Sequence, residues 1–179
     1  TVSLDTAAKY RRLGVPAEQI AVVPNGVEFL PDTSPAAISA ARRALIAAAP
    51  PDLRASLEAV KGDSWIVYLA RLFPQKGQER AIALWNALNP LVRRRCVLLF
   101  VGPEGACDYS QMLAALRSEA ADRERIIFTG GTNAPKTWLS AADLFLSCSE
   151  YEGMPLGPLE AAGSGVPTVV TDIPGHEML

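Results

Sequence analysis

Short apolar runs rich in β-branched residues alternate along this chain with longer helical stretches. Runs at 20–24 (IAVVP), 65–70 (WIVYLA), 96–102 (CVLLFVG), 125–130 (RIIFTG), 144–149 (LFLSCS) and 166–171 (VPTVVT) read as strands. Residues 34–49, 78–88, 110–121, 135–142 and 155–163 read as helices between them. That alternation is the pattern of βα units feeding a parallel sheet. Several strands are apolar nearly throughout, as expected when helices cover both faces, so the fold class is α/β with a doubly wound, Rossmann-like sheet. The Ala-rich stretch 33–60, with Ala-Pro-Pro-Asp at its middle, reads as a helical pair joined by a turn and is assigned to packing.

Length and composition narrow the possibilities. A chain of 179 residues can build one domain with a sizeable core. Apolar residues make up 49% and charged residues 20%, and no apolar run approaches the length a bilayer requires. The opening TVSLDTAAKYRRLG lacks the apolar centre of a signal peptide and carries Asp5 early. A net charge of -2 argues against a broad nucleic-acid footprint. The densest basic cluster, Arg93, Arg94 and Arg95, falls where a helix should end, and reads as a solvated group complementing the helix dipole. Cys96, Cys107 and Cys148 are odd in number, widely spaced and accompanied by one histidine, which suggests neither a disulfide framework nor a zinc site. They read as buried thiols in a reducing compartment, and a cytoplasmic location is expected.

In open parallel sheets ligands bind beyond the carboxyl ends of the strands. Polar and glycine residues concentrate in those loops: NGV at Asn25, RLFPQKG at 71–77, GPEGA at 102–106, GGTN at 130–133, EYEGMPLG at 150–157 and DIPGHE at 172–177. A dinucleotide fingerprint is absent, since Gly102 and Gly105 have the wrong spacing, and so are the P-loop and G-x-S-x-G strings. Glu152 and Glu160 stand with seven residues between them. Pro155 and Pro158 fit the first turn of a helix, which places its start around 154–157, Glu152 in the loop and Glu160 near the first turn. Free N–H groups at such a start, with glycines that admit close approach, make an anion site. The glutamates are spaced to accept hydrogen bonds from hydroxyls on either side, as on a ribose and a sugar flanking a diphosphate. The competing reading is a pair of acids that merely complement the helix dipole.

These strings carry a resemblance. EGMPLGPLE is similar to the E-x7-E motif of the retaining, nucleotide-sugar-dependent glycosyltransferases of group 1, which adopt the GT-B fold. ARLFPQKG resembles that family's arginine-leucine to lysine-glycine string, and VVPNGVE its proline-asparagine-glycine-valine-acidic string. The match holds its order over about 160 residues, and the combination is specific where one string alone would be weak. It covers the C-terminal, donor-binding half of a GT-B enzyme. The resemblance therefore implies that residues 1–19 are a leading helix or linker from an acceptor domain, that 20–179 form the nucleotide-sugar-binding domain, and that closing helices follow Leu179.

Position by position, the resemblance implies that Arg71 and Lys76 bind the donor diphosphate, Glu160 the ribose hydroxyls and Glu152 the donor hexose. Gly153, Met154, Pro155 and Leu156 match the backbone segment lying against sugar and phosphates, although Pro155 has no N–H to offer. Gly130, Gly131 and Thr132 occupy the base-binding loop, where main-chain groups usually read the base, and Gly26 matches a close-approach glycine. Arg71, Lys76 and Glu152 are the catalytic candidates. The implied reaction is transfer with retention from a UDP- or GDP-type sugar to a glycan, lipid or small-molecule acceptor, with cations in place of a metal and no cofactor. Departure of the diphosphate would be stabilised by Arg71, Lys76 and the helix start. The half alone is expected to be inactive, and membrane association is expected only through the acceptor half, peripherally at the inner membrane. His176 lies in a loop the family uses near the donor and reads as solvated. A sugar-nucleotide epimerase, a phosphorylase, or a non-catalytic nucleotide-sugar-binding domain would share the same diphosphate site.

Overall fold

The structure is a computed structural model that describes residues 1–28, 32–105, 107–177 and 179. Ala106, in the glycine loop 102–106, and Met178 lie outside the described residues. Five strands, β1 (Ser64–Leu69), β2 (Cys96–Val101), β3 (Ile126–Gly130), β4 (Leu144–Ser147) and β5 (Thr168–Val170), form one sheet in the order β3-β2-β1-β4-β5. Every pairing is parallel. The chain steps outward from β1 to β3, then crosses back to the other side of β1 for β4 and β5. That reversal opens a crevice between the carboxyl ends of β1 and β4, where the loops leaving the two strands diverge.

The helices are α1 (Leu4–Arg12), α2 (Pro35–Ala48), α3 (Pro51–Ala59), α4 (Gln78–Ala87), α5 (Pro90–Arg93), α6 (Cys107–Glu119), α7 (Pro135–Ala141) and α8 (Leu156–Gly163). Their starts follow from local chemistry. The Ser3 and Ser34 hydroxyls accept from the N–H groups of Thr6 and Ala37, each at 3.2 Å, and Pro35, Pro51, Pro90 and Pro135 open helices at positions where a missing N–H costs nothing.

Both sheet faces are covered. Trp65, Val67, Val97, Leu99 and Phe145 pack in one cluster with residues of α2, α3, α7 and α8, while Tyr68, Leu98, Phe100, Ile126 and Leu146 pack in the other with residues of α4 and α6. Successive residues of β1 and β2 thus enter opposite cores. This is why these runs are apolar throughout rather than alternating, and each large side chain so buried contributes about 1.5–3 kcal/mol.

Four expectations need correction. Residues 20–24 form no sheet strand; the backbone partner that runs beside them among the described residues is Thr1, whose N-terminal ammonium donates to Ala21 O at 2.9 Å and whose carbonyl accepts from Val23 N–H at 2.8 Å. One residue of backbone partner is too little for a ladder. Helix α6 begins at Cys107, three residues before its expected start. Arg93 is not solvated: its Nε lies 2.6 Å from Asp122 Oδ2, and its Nη1 donates to Leu88 O at 3.1 Å, closing the turn between α4 and α5. The Arg93 guanidinium holds the Asp122 carboxyl below its ordinary value. Among the thiols only Cys148 is fully buried, which pushes it up to about 11, whereas Cys107 is exposed and Cys96 half-buried.

At the amino ends of the strands, Arg42 fastens three elements. Its Nε donates to Ala141 O and its Nη1 to Asp63 O, both at 3.0 Å, its Nη2 meets Asp143 Oδ2 at 2.5 Å, and its guanidinium lies over the Trp65 ring at 4.9 Å. Arg42→Ala should therefore lower unfolding stability by about 2–3 kcal/mol, because it strands two backbone carbonyls and removes the cation from the Asp143 carboxylate, which keeps only the Trp65 N–H at 2.7 Å among the described residues. Urea titration checks this. Arg43→Ala, at an exposed position of the same helix, should shift stability by less than about 0.5 kcal/mol.

Candidate functional site at the sheet switch point

The loop after β1 (70–77) and the loop after β4 (148–155) are tied together where the strand order reverses. Tyr68, buried on β1, accepts from the Cys148 N–H at 2.7 Å and donates to the Lys76 carbonyl. Burial raises the Tyr68 phenol well above its ordinary value, so it keeps the proton this second bond needs. Gly77 is left-handed at φ 66°, and a Cβ there would lie 2.2 Å from the Cys148 carbonyl oxygen. Only glycine fits this approach. The Glu150 N–H donates to Gln75 O at 2.9 Å, the Gln75 amide to Tyr151 O at 2.8 Å, and Arg80 pairs with Glu150.

Through this seam Lys76 reaches Glu152, with Nζ 2.5 Å from Oε1. The Glu152 side chain is 9% exposed and that of Lys76 26%, so the pair is screened from water more than a surface ion pair is. Arg71, in the same loop, is exposed, with its guanidinium over the Phe73 ring at 5.7 Å. Its backbone is held from beneath: the fully buried Gln78 donates through Nε2 to Arg71 O at 2.9 Å. The Gln78 N–H donates to the Tyr109 hydroxyl at 3.0 Å, and that hydroxyl donates to the Glu79 carboxylate. Burial first, then the Glu79 carboxylate, raise the Tyr109 phenol.

The Glu152 loop is backed on two sides. A Cβ on Gly175 would lie 2.5 Å from the Glu152 carbonyl oxygen, and the Asn25 side chain donates to Met154 O at 3.2 Å. Gly153 faces Val2, whose Cγ2 would be 3.5 Å from an added Cβ. Helix α8 then starts at Leu156 with Pro155 as its N-cap and no side-chain cap. The N–H groups of Leu156 and Gly157 have no intrahelical acceptor, and Pro158 has no N–H, so this start presents two donors rather than three. Glu160 is half-buried in the second turn of α8, not the first, because the helix begins only at Leu156.

At the neighbouring strand ends, a Cβ on Gly102 would lie 2.0 Å from Ala70 O, so protein packing alone accounts for that glycine. Gly130 is left-handed at φ 77° with open space around it, Gly131 lies beside Pro103, and the Thr132 hydroxyl accepts from Ala134 N–H at 3.0 Å. Gly26 is exposed with open space where a side chain would stand. Arg71, Lys76, Glu152 and residues 153–156 thus share the carboxyl end of the sheet around the β1/β4 crevice, and Gly130, Gly131 and Thr132 sit at the end of β3. His176 departs from expectation: it is 6% exposed, with Nδ1 2.7 Å from Thr171 O. A carbonyl only accepts, so Nδ1 carries the proton, and Nε2 is buried without a hydrogen-bond partner among the described residues.

A cavity of about 480 Å3 between α2 and α3 includes Arg42 and lies toward the amino ends of the strands, away from these loops. Nothing in the sequence marks Tyr68, Gln78 or Tyr109 as part of the site. Tyr68 reads there as one more apolar strand residue, and Gln78 as the first residue of a helix. Among the described residues no group of three or more His, Cys, Asp or Glu could hold a metal ion, and no helix is long and apolar enough to cross a membrane.

Residues 51–179 match the family described as Glycosyl transferases group 1. A UDP-Gal:alpha-D-GlcNAc-diphosphoundecaprenol alpha-1,3-galactosyltransferase of Escherichia coli is 28% identical over 175 residues, which cover 94% of this chain and 41% of that protein. Among solved structures, Anabaena Alr3699/HepE in complex with UDP-glucose superposes with a TM-score of 0.77 at 24% identity, over 97% of this chain and 44% of that one. WaaG, a glycosyltransferase involved in lipopolysaccharide biosynthesis, gives a TM-score of 0.79 at 20% identity, over 99% and 45%. The chain spans less than half the length of these proteins.

Tyr68→Phe removes only the oxygen that bridges the two loops. It should cost about 1–3 kcal/mol by leaving the buried Cys148 N–H without an acceptor. The local readout is sharper. Hydrogen exchange at the Cys148 amide should accelerate far more than exchange at Leu98 in the sheet centre, and equal changes at both sites would show that the hydroxyl does not join the loops.

Proposed function

The chain belongs to the group 1 glycosyl transferases and has the Rossmann-like fold of the C-terminal half of their GT-B members, and from that premise we propose that it binds the nucleoside-diphosphate sugar of a retaining glycosyltransferase. One observation carries this reading above the rest. The two sequence strings that supply Lys76 and Glu152 are 76 residues apart, yet the switch point brings their side chains to 2.5 Å beside an uncapped helix start. That contact, with the backbone N–H pair at the start of α8, supports a site for an anionic ligand where an open α/β sheet binds its ligand.

The roles follow from that arrangement. Arg71, exposed and free to fork onto phosphate oxygens, and Lys76, a compact charge, receive the diphosphate with the Leu156 and Gly157 N–H groups. Glu152 orders Lys76 in the absence of ligand and accepts from hydroxyls of the transferred sugar, while Glu160, one turn into α8, accepts from the ribose. Residues 130–132 line the base end, and Gly26, beside the Asn25–Met154 contact, leaves the main chain open to approach. As the glycosidic bond lengthens, negative charge grows on the departing diphosphate, and groups aimed there lower the barrier beyond what they contribute to ground-state binding. We assign neither glutamate as a covalent nucleophile, since both are engaged by hydroxyls in this scheme. Transfer itself belongs to a longer, cytoplasmic enzyme whose other domain holds a glycan, lipid or small-molecule acceptor and excludes water from the cleft.

Arg71→Ala and Lys76→Ala should each weaken nucleoside diphosphate binding tenfold or more while leaving nucleoside binding within about threefold, measured by calorimetric titration. Arg71→Lys should restore part of the loss, because it returns the charge and not the planar fork. Unchanged diphosphate affinity in both alanine variants, with the fold intact by circular dichroism, would overturn the assignment.

A further inference from the structure

Glu152 is placed by contact rather than by backbone bonds of its own. Among the described residues its N–H and carbonyl make no hydrogen bond, and its carboxylate reaches only Lys76. Behind it stands the segment that follows β5. A Cβ on Gly175 would lie 2.5 Å from the Glu152 carbonyl oxygen and 2.7 Å from the Glu152 Cβ, so the two main chains touch at the point from which the carboxylate projects. A shift of Gly175 is therefore a shift in the support of Glu152. Gly175 itself sits in one tight turn, Pro174–His176, in which the His176 N–H donates to Ile173 O at 2.8 Å.

One side chain fastens that turn to the sheet. The His176 ring is buried, and its Nδ1–H donates to Thr171 O at 2.7 Å. Thr171 is anchored twice: its N–H donates to Ser147 O at 3.0 Å, extending the β4–β5 pairing by one residue, and its hydroxyl donates to Ser149 O at 2.6 Å. The contacts make a circuit that leaves β4 and its loop at Ser147 and Ser149, passes through Thr171, His176 and Gly175, and returns to the same loop at Glu152. Nε2 has no hydrogen-bond partner among the described residues, so the Nδ1–H bond is the ring's one polar use there.

We propose that His176 is a positioning residue: through its bond to Thr171 it holds Gly175 against Glu152, and so aims the Glu152 carboxylate at Lys76 and at the hydroxyls of the transferred sugar. The step to the sugar rests on the nucleotide-sugar reading above; the hold on Lys76 belongs to the ligand-free chain. No proton transfer is assigned to the ring, since Nδ1 is engaged and Nε2 is enclosed. Bracing of this kind matters because a misplacement of about 1 Å, caused from outside the site, is enough to forfeit most of what an aimed group contributes.

Two substitutions separate the bond from the bulk. His176→Asn keeps a donor where Nδ1 stands and loses volume, whereas His176→Leu keeps volume and loses the donor. The first readout is the Lys76 ammonium, observed by nuclear magnetic resonance of the nitrogen-labelled chain without ligand, with Glu152→Gln as the reference for a lysine that has lost its carboxylate. His176→Asn should retain the wild-type signal, and His176→Leu should move it most of the way to the Glu152→Gln position, whichever variant is the more stable to urea. Thr171→Val, which removes the hydroxyl that donates to Ser149 O, should move it in the same direction and serves where His176→Leu fails to fold. The second readout is the affinity of a nucleotide sugar relative to its nucleoside diphosphate, UDP-glucose over UDP and GDP-mannose over GDP. His176→Leu should lower that ratio about fivefold and His176→Asn by less than about twofold. A wild-type Lys76 signal in His176→Leu, or equal displacement in the Asn and Leu variants, would overturn the positioning role. Absence of pyrophosphate and nucleotide binding in the wild-type chain would instead overturn the nucleotide-sugar reading and the aim at sugar hydroxyls, while the Lys76 signal still decides whether His176 holds Glu152.

Discussion

The Tyr68 hydroxyl joins the two loops on which the site depends. A doubly wound sheet necessarily splits its connections at the point where strand order reverses, so the loops leaving β1 and β4 have no covalent reason to stay together. In this chain one phenol accepts from the backbone behind Glu152 and donates to the backbone of Lys76, and Gly77 lets the same two segments approach to van der Waals contact. Burial on the sheet face keeps that phenol protonated. The core and the site therefore share an atom: β1 is fixed by its packing against β2 and β4, and the loops inherit that rigidity.

Preorganisation is the consequence. A cation waiting for a phosphate loses affinity if it must be ordered on binding, and a half-buried carboxylate is costly if it stands alone. Pairing Lys76 with Glu152 offsets both costs in one contact. The arrangement leaves Arg71 as the exposed charge of the loop, with its backbone fixed by Gln78 and its guanidinium resting on Phe73. One cation held and one exposed is a sensible division for the diphosphate site proposed here, which would first attract an anion and then aim charge at it.

Much of this was legible in the residues. Five of the six expected strands and the helical pair at 33–60 are present, because alternation of apolar runs with helical stretches records burial directly. The segment at 20–24 misled because its composition is that of a strand while its neighbour is a single residue, and pairing is a property of partners rather than of the run itself. The glutamate spacing and the prolines located α8 to within a residue, since proline tolerates only the first turn. What stayed hidden was tertiary. Nothing local marks Tyr68 or Gln78 as more than a strand residue and a helix start, and Arg93 could not be told from its exposed neighbours Arg94 and Arg95 without the position of Asp122. His176 reads as a loop residue, and only the fold of the segment after β5 buries it.

The proposed function requires the β1 and β4 loops to form one anion-receiving surface. Amide chemical-shift mapping with inorganic pyrophosphate, recorded by nuclear magnetic resonance on the labelled chain, addresses it without assuming a base or a sugar. Saturable shifts should concentrate at residues 71–77 and at Leu156 and Gly157, with little change along β2. Shifts confined to the cation-lined cavity between α2 and α3, around Arg43 and Lys61, would contradict it.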